Sequence, residues 1–186
     1  VVREALSDWA SGSGVSLTED QSRAALSALT DNVCLVTGLP GTGKTTALRA
    51  VVSCLKDAGV GFLLVAPTGI AAKRLSNVVN APAYTIHRAF GAKGRYGEDD
   101  GREVAYEGFL GEADTKKSNT GGLDETWGYC PGNPHPADVV IVDETSMVDM
   151  HMLHRILGGT RPDCRLVFVG DPYQLPSVGA GDVLGD

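Results

Sequence analysis

The sequence predicts an α/β domain: a mostly parallel sheet with helices on both faces and a Gly-rich, hairpin-like insert. Two observations carry that prediction. Four apolar runs of strand length, at residues 33–36, 61–66, 139–142 and 165–169, the first three reading as buried strands, alternate with stretches whose apolar spacing is helical. Such alternation is how parallel α/β domains are written. The second observation is Gly38-Leu39-Pro40-Gly41-Thr42-Gly43-Lys44-Thr45, a complete P-loop pattern set between the first apolar run and the helix-forming residues 45–56.

At 186 residues the chain is long enough for one well-cored domain. Its 42% hydrophobic and 21% charged content is ordinary for a soluble protein, and no apolar run approaches the ~20 residues that span a bilayer. Residues 1–8 carry no basic start followed by an apolar stretch, so a cytoplasmic protein without membrane partners is expected. Cys34, Cys54, Cys130 and Cys164 are scattered without a Cys-x-x-Cys pair and read as incidental thiols. His151 and His154 share a helical face, but no further cluster supports a zinc site.

In chain order, residues 1–10 form a short amphipathic piece, and Ser11-Gly12-Ser13-Gly14 has a linker composition. Residues 1–16 are expected to lead in from an upstream region, and residues 17–186 to form the domain. A helix opens after Thr18, with Gln21 at its third position completing a capping box. Gln21 has a second reading, because its amide also offers the paired donor and acceptor that suit an adenine edge.

The P-loop supplies phosphate chemistry. Gly38, Gly41 and Gly43 let the backbone turn its N–H groups inward, where they and the positive helix end bind a polyphosphate. Lys44 would reach the β- and γ-phosphates, and the Thr45 hydroxyl would ligate Mg²⁺. The second strand runs into Pro67-Thr68-Gly69, and a helix follows over residues 70–79. Polar side chains at the carboxyl end of a parallel strand face the ligand edge, so Thr68, Lys73 and Arg74 are candidates for a second anionic ligand. Residues 85–88 begin another short helix, in which His87 is as readily structural as ligand-binding.

Residues 91–137 break the pattern. Ten of these 47 residues are Gly, and Asp100-Gly101 between residues 95–96 and 102–106 signals a hairpin. Trp127 and Tyr129 are expected to pack the loop onto the core, base stacking being the alternative. Order resumes with the third strand, which ends in Asp143-Glu144. There an Asp can hold Mg²⁺ through water, and a Glu can polarise the water that attacks a γ-phosphate. A helix over residues 148–157 leads to the fourth strand and then to Gly170-Asp171-Pro172-Tyr173-Gln174, where Gln174 is placed to sense a γ-phosphate.

The net charge of -7 argues against an anionic partner, but residues 40–96 hold eight Lys or Arg against the single acid Asp57. Phosphate contacts are local, so a basic face on an acidic protein can hold nucleic acid.

These segments, together and in order, resemble the RecD-like superfamily 1 DNA helicases, the family that includes the exodeoxyribonuclease V alpha subunit. The segments are residues 17–21, 38–46, 66–69 with Ala71-Ala72, 85–88, 143–149 and 170–181. Only the insert, residues 91–137, lies outside the resemblance. It implies the first RecA-like domain of an ATP-driven motor moving 5′ to 3′ on single-stranded DNA. It also implies that Gln21 reads adenine, and that Gly38, Pro40, Gly41, Thr42, Gly43, Lys44, Thr45 and Thr46 bind ATP. Thr45 and Asp143 would hold Mg²⁺, Glu144 would activate water, and Gln174 would sense the γ-phosphate. Pro67, Thr68, Lys73, Thr85, His87 and Arg88 fall in segments that meet the DNA strand. The insert falls where the family places a small hairpin domain, although its acidity speaks against direct DNA contact.

Such a motor needs a second RecA-like domain bearing an arginine that reaches across the cleft. The chain ends at Asp186 before any such sequence, so an excised domain with very slow hydrolysis is expected, that arginine being worth on the order of 10³ to 10⁵ in rate. Three alternatives stand beside this reading. They are a P-loop kinase, a nucleotide-binding module without turnover, and the motor of a conjugative relaxase. The Arg-poor insert offers the first no clear lid.

Overall fold

The computed structural model describes residues 2–91, 127–174, 176–181, 183 and 184. The hairpin expected around Asp100-Gly101 lies outside them. Five parallel strands form one sheet in the order β1-β5-β4-β2-β3. They are β1 (Val33–Thr37), β2 (Phe62–Ala66), β3 (Tyr84–Thr85), β4 (Val139–Val142) and β5 (Arg165–Gly170). Among the described residues six α-helices accompany them: α1 (Val2–Ser13), α2 (Glu19–Thr30), α3 (Lys44–Asp57), α4 (Gly69–Val79), α5 (Ile86–Ala89) and α6 (Met150–Gly159).

The two-residue period of a strand divides the core in two. Leu64, Val139, Ile141, Val167 and Val169 pack beneath α1 to α4, while Leu63, Val65, Val140, Val142, Leu166 and Phe168 pack against α5 and α6. Helices therefore cover both faces, as the alternation of runs predicts. All four residues of β4 are 0% exposed, because this central strand is covered on both sides.

Two local expectations are corrected, and one short strand is added. The first apolar run is not fully buried: Cys34 and Val36 are, but Val33 and Leu35 are 64% and 52% exposed, because β1 is an edge strand covered on one face only. The linker-like Ser11-Gly12-Ser13 is the last turn of α1, whose Leu6 is buried with Val2, Ala5 and Trp9 packed beside it. Apolar burial of this one face outweighs the weak helix propensity of Ser and Gly. Between residues 80 and 85 the chain also makes a short strand, β3, which pairs with β2 and has too few residues to show a period.

At the amino ends of the strands, Asp138 clasps two elements. Its Oδ1 accepts from Arg161 Nη2 at 2.6 Å, and its Oδ2 accepts the Gly61 N–H at 3.0 Å. The described residues of the insert, Gly91 and 127–137, are stitched to the core. Gly128 N–H donates to Gly91 O at 2.9 Å, and Trp127 stacks on His87 with ring centroids 5.6 Å apart. Trp127 and Tyr129 both pack on the second core cluster, the packing role expected of them.

His135 anchors the same segment. It is 4% exposed, lies 4.7 Å from the Tyr129 ring, donates its backbone N–H to Gly159 O, and accepts the Ala137 N–H on Nδ1 at 3.1 Å. Burial, helped by the nearby Arg161 charge, pulls its pKa down to about 4. The unfolded chain, with a His pKa near ~6.5, then binds the extra proton between those two values. Stabilisation is complete above the unfolded value and drains away as the pH falls toward the folded one. Urea unfolding should show roughly 2 kcal/mol of this contribution lost between pH 7.5 and 5. His135→Leu, which cannot be protonated, should be less stable at neutral pH but should lack that part of the slope.

Candidate nucleotide site

Because all five strands are parallel, their carboxyl ends open on one edge. The P-loop leaves β1, Asp143 and Glu144 leave β4, and Asp171 and Gln174 leave β5, which lies between the other two. Strand order thus brings three distant segments into one cleft of about 280 Å³. It is lined by Pro40, Gly41, Thr42, Gly43, Lys44, Thr45, Arg74, Asp143, Glu144, Asp171 and Gln174, among others.

The P-loop is shaped by two left-handed glycines, Gly41 at φ 80° and Gly43 at φ 84°, the second being the N-cap of α3. A glycine cap has no side chain to cover the opening N–H groups of α3, so those of Lys44 and Thr45 suit an anion, while the Thr46 N–H donates to Gly43 O at 2.9 Å. Lys44 Nζ donates to the carbonyls of Gly38 and Leu39. Gln21 joins α2 to this loop: its Oε1 accepts the Thr18 N–H at 3.0 Å, its Nε2 donates to Thr42 O at 3.2 Å, and Thr18 Oγ1 accepts the Gln21 N–H. The capping box is therefore present, and the same amide reaches the P-loop with one N–H to spare. Beside it, a larger cleft of about 590 Å³ runs between α2 and β1, lined by Thr18, Gln21, Thr37, Gly38, Thr42 and Lys44 among others.

Across the cleft, burial raises the pKa of Asp143. The Glu144 N–H and the charges of Arg74 and Lys44 oppose that rise, while the Glu144 carboxylate adds to it. Glu144 sits at φ 53°, ψ 44°, a left-handed backbone uncommon outside glycine. Such strain is often kept where it aims a functional side chain. Its Oε1 lies 3.6 Å from Arg74 Nη1. A 3-10 turn, Thr145–Met147, follows, so the helix expected from residue 148 begins instead at Met150, capped by Asp149 Oδ1 on the Met152 N–H at 2.7 Å. Thr45 and Asp143, hard oxygen donors that line the same cleft, fit a magnesium ion held jointly with phosphate. Among the described residues no group of three or more His, Cys, Asp or Glu forms a metal site of its own, and all four cysteines are free. No helix among them is long and apolar enough to cross a membrane.

The segments expected to meet DNA lie at the ends of the neighbouring strands. Pro67 and Thr68 follow β2, and Thr68 caps α4 by accepting the Ala71 N–H. Thr85, paired in register with Ala66, caps α5 by accepting the Arg88 N–H. Lys73, His87 and Arg88 are exposed. Arg74 does not join them: it shares a helical face with Leu75 and Val78 and lines the P-loop cleft. Helical spacing carries that signal, since residues 74, 75 and 78 lie together while 73 turns away. Asp171, to which the sequence assigns no role of its own, lines the cleft at 2% exposure and accepts the Tyr173 N–H.

The two P-loop glycines make different demands. A Cβ on Gly43 would collide with Gln21 Nε2 as well as straining the backbone, whereas one on Gly41 would meet nothing within 4 Å. Gly41→Ala should cost about 1 kcal/mol, and Gly43→Ala roughly 2 to 3 kcal/mol with loss of the α2 contact. Comparison of the two in urea unfolding checks this; equal costs would remove Gln21 from the account.

A family model described as an AAA domain matches residues 16–186. The RecBCD enzyme subunit RecD of Haemophilus influenzae is 32% identical over 173 residues, covering 91% of this chain and 26% of that protein. The ATP-dependent RecD2 DNA helicase of Deinococcus radiodurans is 33% identical over 165 residues, covering 89% of this chain and 19% of that protein. The chain thus spans about a quarter or less of these curated relatives. Among solved structures, Bacteroides sp Pif1 in complex with ADP-AlF4 superposes with a TM-score of 0.52 at 26% identity, covering 89% of this chain and 34% of that one. With its glycine-capped P-loop facing the paired acids of β4, the chain belongs to this AAA domain family and is a first RecA-like domain of the RecD-like, superfamily 1 helicase type.

Proposed function

We propose that the chain is the ATP-binding motor domain of a cytoplasmic, ATP-dependent DNA helicase that moves 5′ to 3′ on single-stranded DNA. The observation that carries this reading is the convergence of Lys44, Thr45, Asp143, Glu144 and Gln174 in one cleft, with Thr68, Thr85 and His87 at adjoining strand ends. The related proteins named above include an ATP-dependent DNA helicase and a structure holding ADP-AlF4.

In this reading Gly38, Pro40, Gly41, Thr42, Gly43, Lys44 and Thr46 hold the triphosphate, and the free N–H of Gln21 is offered to the adenine edge. Thr45 and Asp143 hold Mg²⁺, which when bound offsets phosphate charge in the transition state. Glu144 orients the attacking water and takes up its proton. Gln174 contacts the terminal phosphate and reports it along the loop after β5. Pro67, Thr68, Lys73, Thr85, His87 and Arg88 line the path of the DNA strand, and the spare hydroxyl hydrogens of Thr68 and Thr85 suit phosphate oxygens. Residues 17–186 form the motor domain, residues 1–16 lead into it, and residues 91–137 are its insert. A second RecA-like domain of the same parent supplies the remaining arginine, so this domain alone hydrolyses ATP very slowly.

ATP hydrolysis by the full-length protein tests the proposal. Single-stranded DNA should stimulate turnover at least about tenfold, and Lys44→Ala should abolish it through loss of the phosphate contact. Turnover indifferent to DNA would exclude a DNA motor.

A further inference from the structure

We infer that Arg74 is a phosphate-sensing residue of the nucleotide site, which exchanges its partner from the Glu144 carboxylate to the terminal phosphate when a nucleoside triphosphate binds. The inference rests on the nucleotide-site reading above and adds to it a cation from α4.

The geometry supplies the argument. Arg74 lines the same cleft as Lys44, Thr45, Asp143, Glu144 and Gln174. Its contact with Glu144 is a single Nη1 to Oε1 approach of 3.6 Å, with the Arg74 side chain 74% exposed and Glu144 23% exposed. A long, one-point, solvent-screened pair is a weak one. The guanidinium leaves most of its planar fork unused by this contact, and that fork matches two oxygens of a phosphate better than one oxygen of a carboxylate. Exchange is therefore downhill once a second anion with suitable geometry enters the cleft. A diphosphate, lacking the terminal group, leaves the pair intact.

The test is equilibrium binding to the full-length protein in Mg²⁺, using fluorescently labelled ADP and a labelled non-hydrolysable ATP analogue, with wild type, Arg74→Ala and Arg74→Lys. Arg74→Ala should weaken the triphosphate analogue about tenfold or more while changing ADP affinity by less than about twofold. Arg74→Lys, which keeps the charge without the fork, should restore part of the loss. Thermal unfolding without nucleotide should not change. Equal weakening of both nucleotides, or of neither, would make Arg74 a surface ion pair and overturn the inference. A wild type that binds neither nucleotide would instead overturn the nucleotide-site reading itself.

Discussion

The common direction of the strands is the constraint on which the site depends. In a parallel sheet every carboxyl end opens on the same edge, so the loops after β1, β4 and β5 meet although they are separated by up to about 130 residues of chain. Placing β5 between β1 and β4 spaces the P-loop from the paired acids by the width of one strand, which leaves a cleft rather than a contact. Each crossover carries a helix back over the sheet, and burial of those helices on both faces holds the edge in register.

Within the cleft, the charged groups rest on modest partners. Lys44 lies on two backbone carbonyls of its own loop, and Arg74 on one oxygen of Glu144. Neither contact is costly to exchange, because a carbonyl or a screened carboxylate competes poorly with a polyanion. Asp143 is different: its burial makes the charged form expensive, and only nearby cations and the Glu144 N–H repay that cost. A site of this kind favours ligands that bring their own charge balance.

The opposite end of the sheet is built for fixity. Asp138 ties Arg161 to the Gly61 backbone, and buried His135 seats the last residues of the insert, its ring against those of Tyr129 and Phe90. The stem of the insert closes where Gly128 lies against Gly91, too close for a second side chain. Gly91 and Gly128, on either side of residues 92–126, therefore lie next to each other beside α5.

What the sequence determined by itself was local. The Thr18 and Gln21 box, the glycine-shaped P-loop, the apolar runs of β2, β4 and β5, and the acids after β4 are each specified by residues within one or two turns of each other. Side-chain caps, positive φ and apolar period act over that range. Tertiary structure decided the rest. It set the strand order, and with it the exposure of Val33 and Leu35 on an edge that the apolar run alone does not reveal. It made a helix of the Ser-Gly stretch by burying one face of α1, paired the two residues of β3 and buried His135. It also set the face of α4 that bears Arg74 against the P-loop cleft. Each of these outcomes depends on which surfaces meet across long stretches of chain, and a one-dimensional pattern carries no record of that.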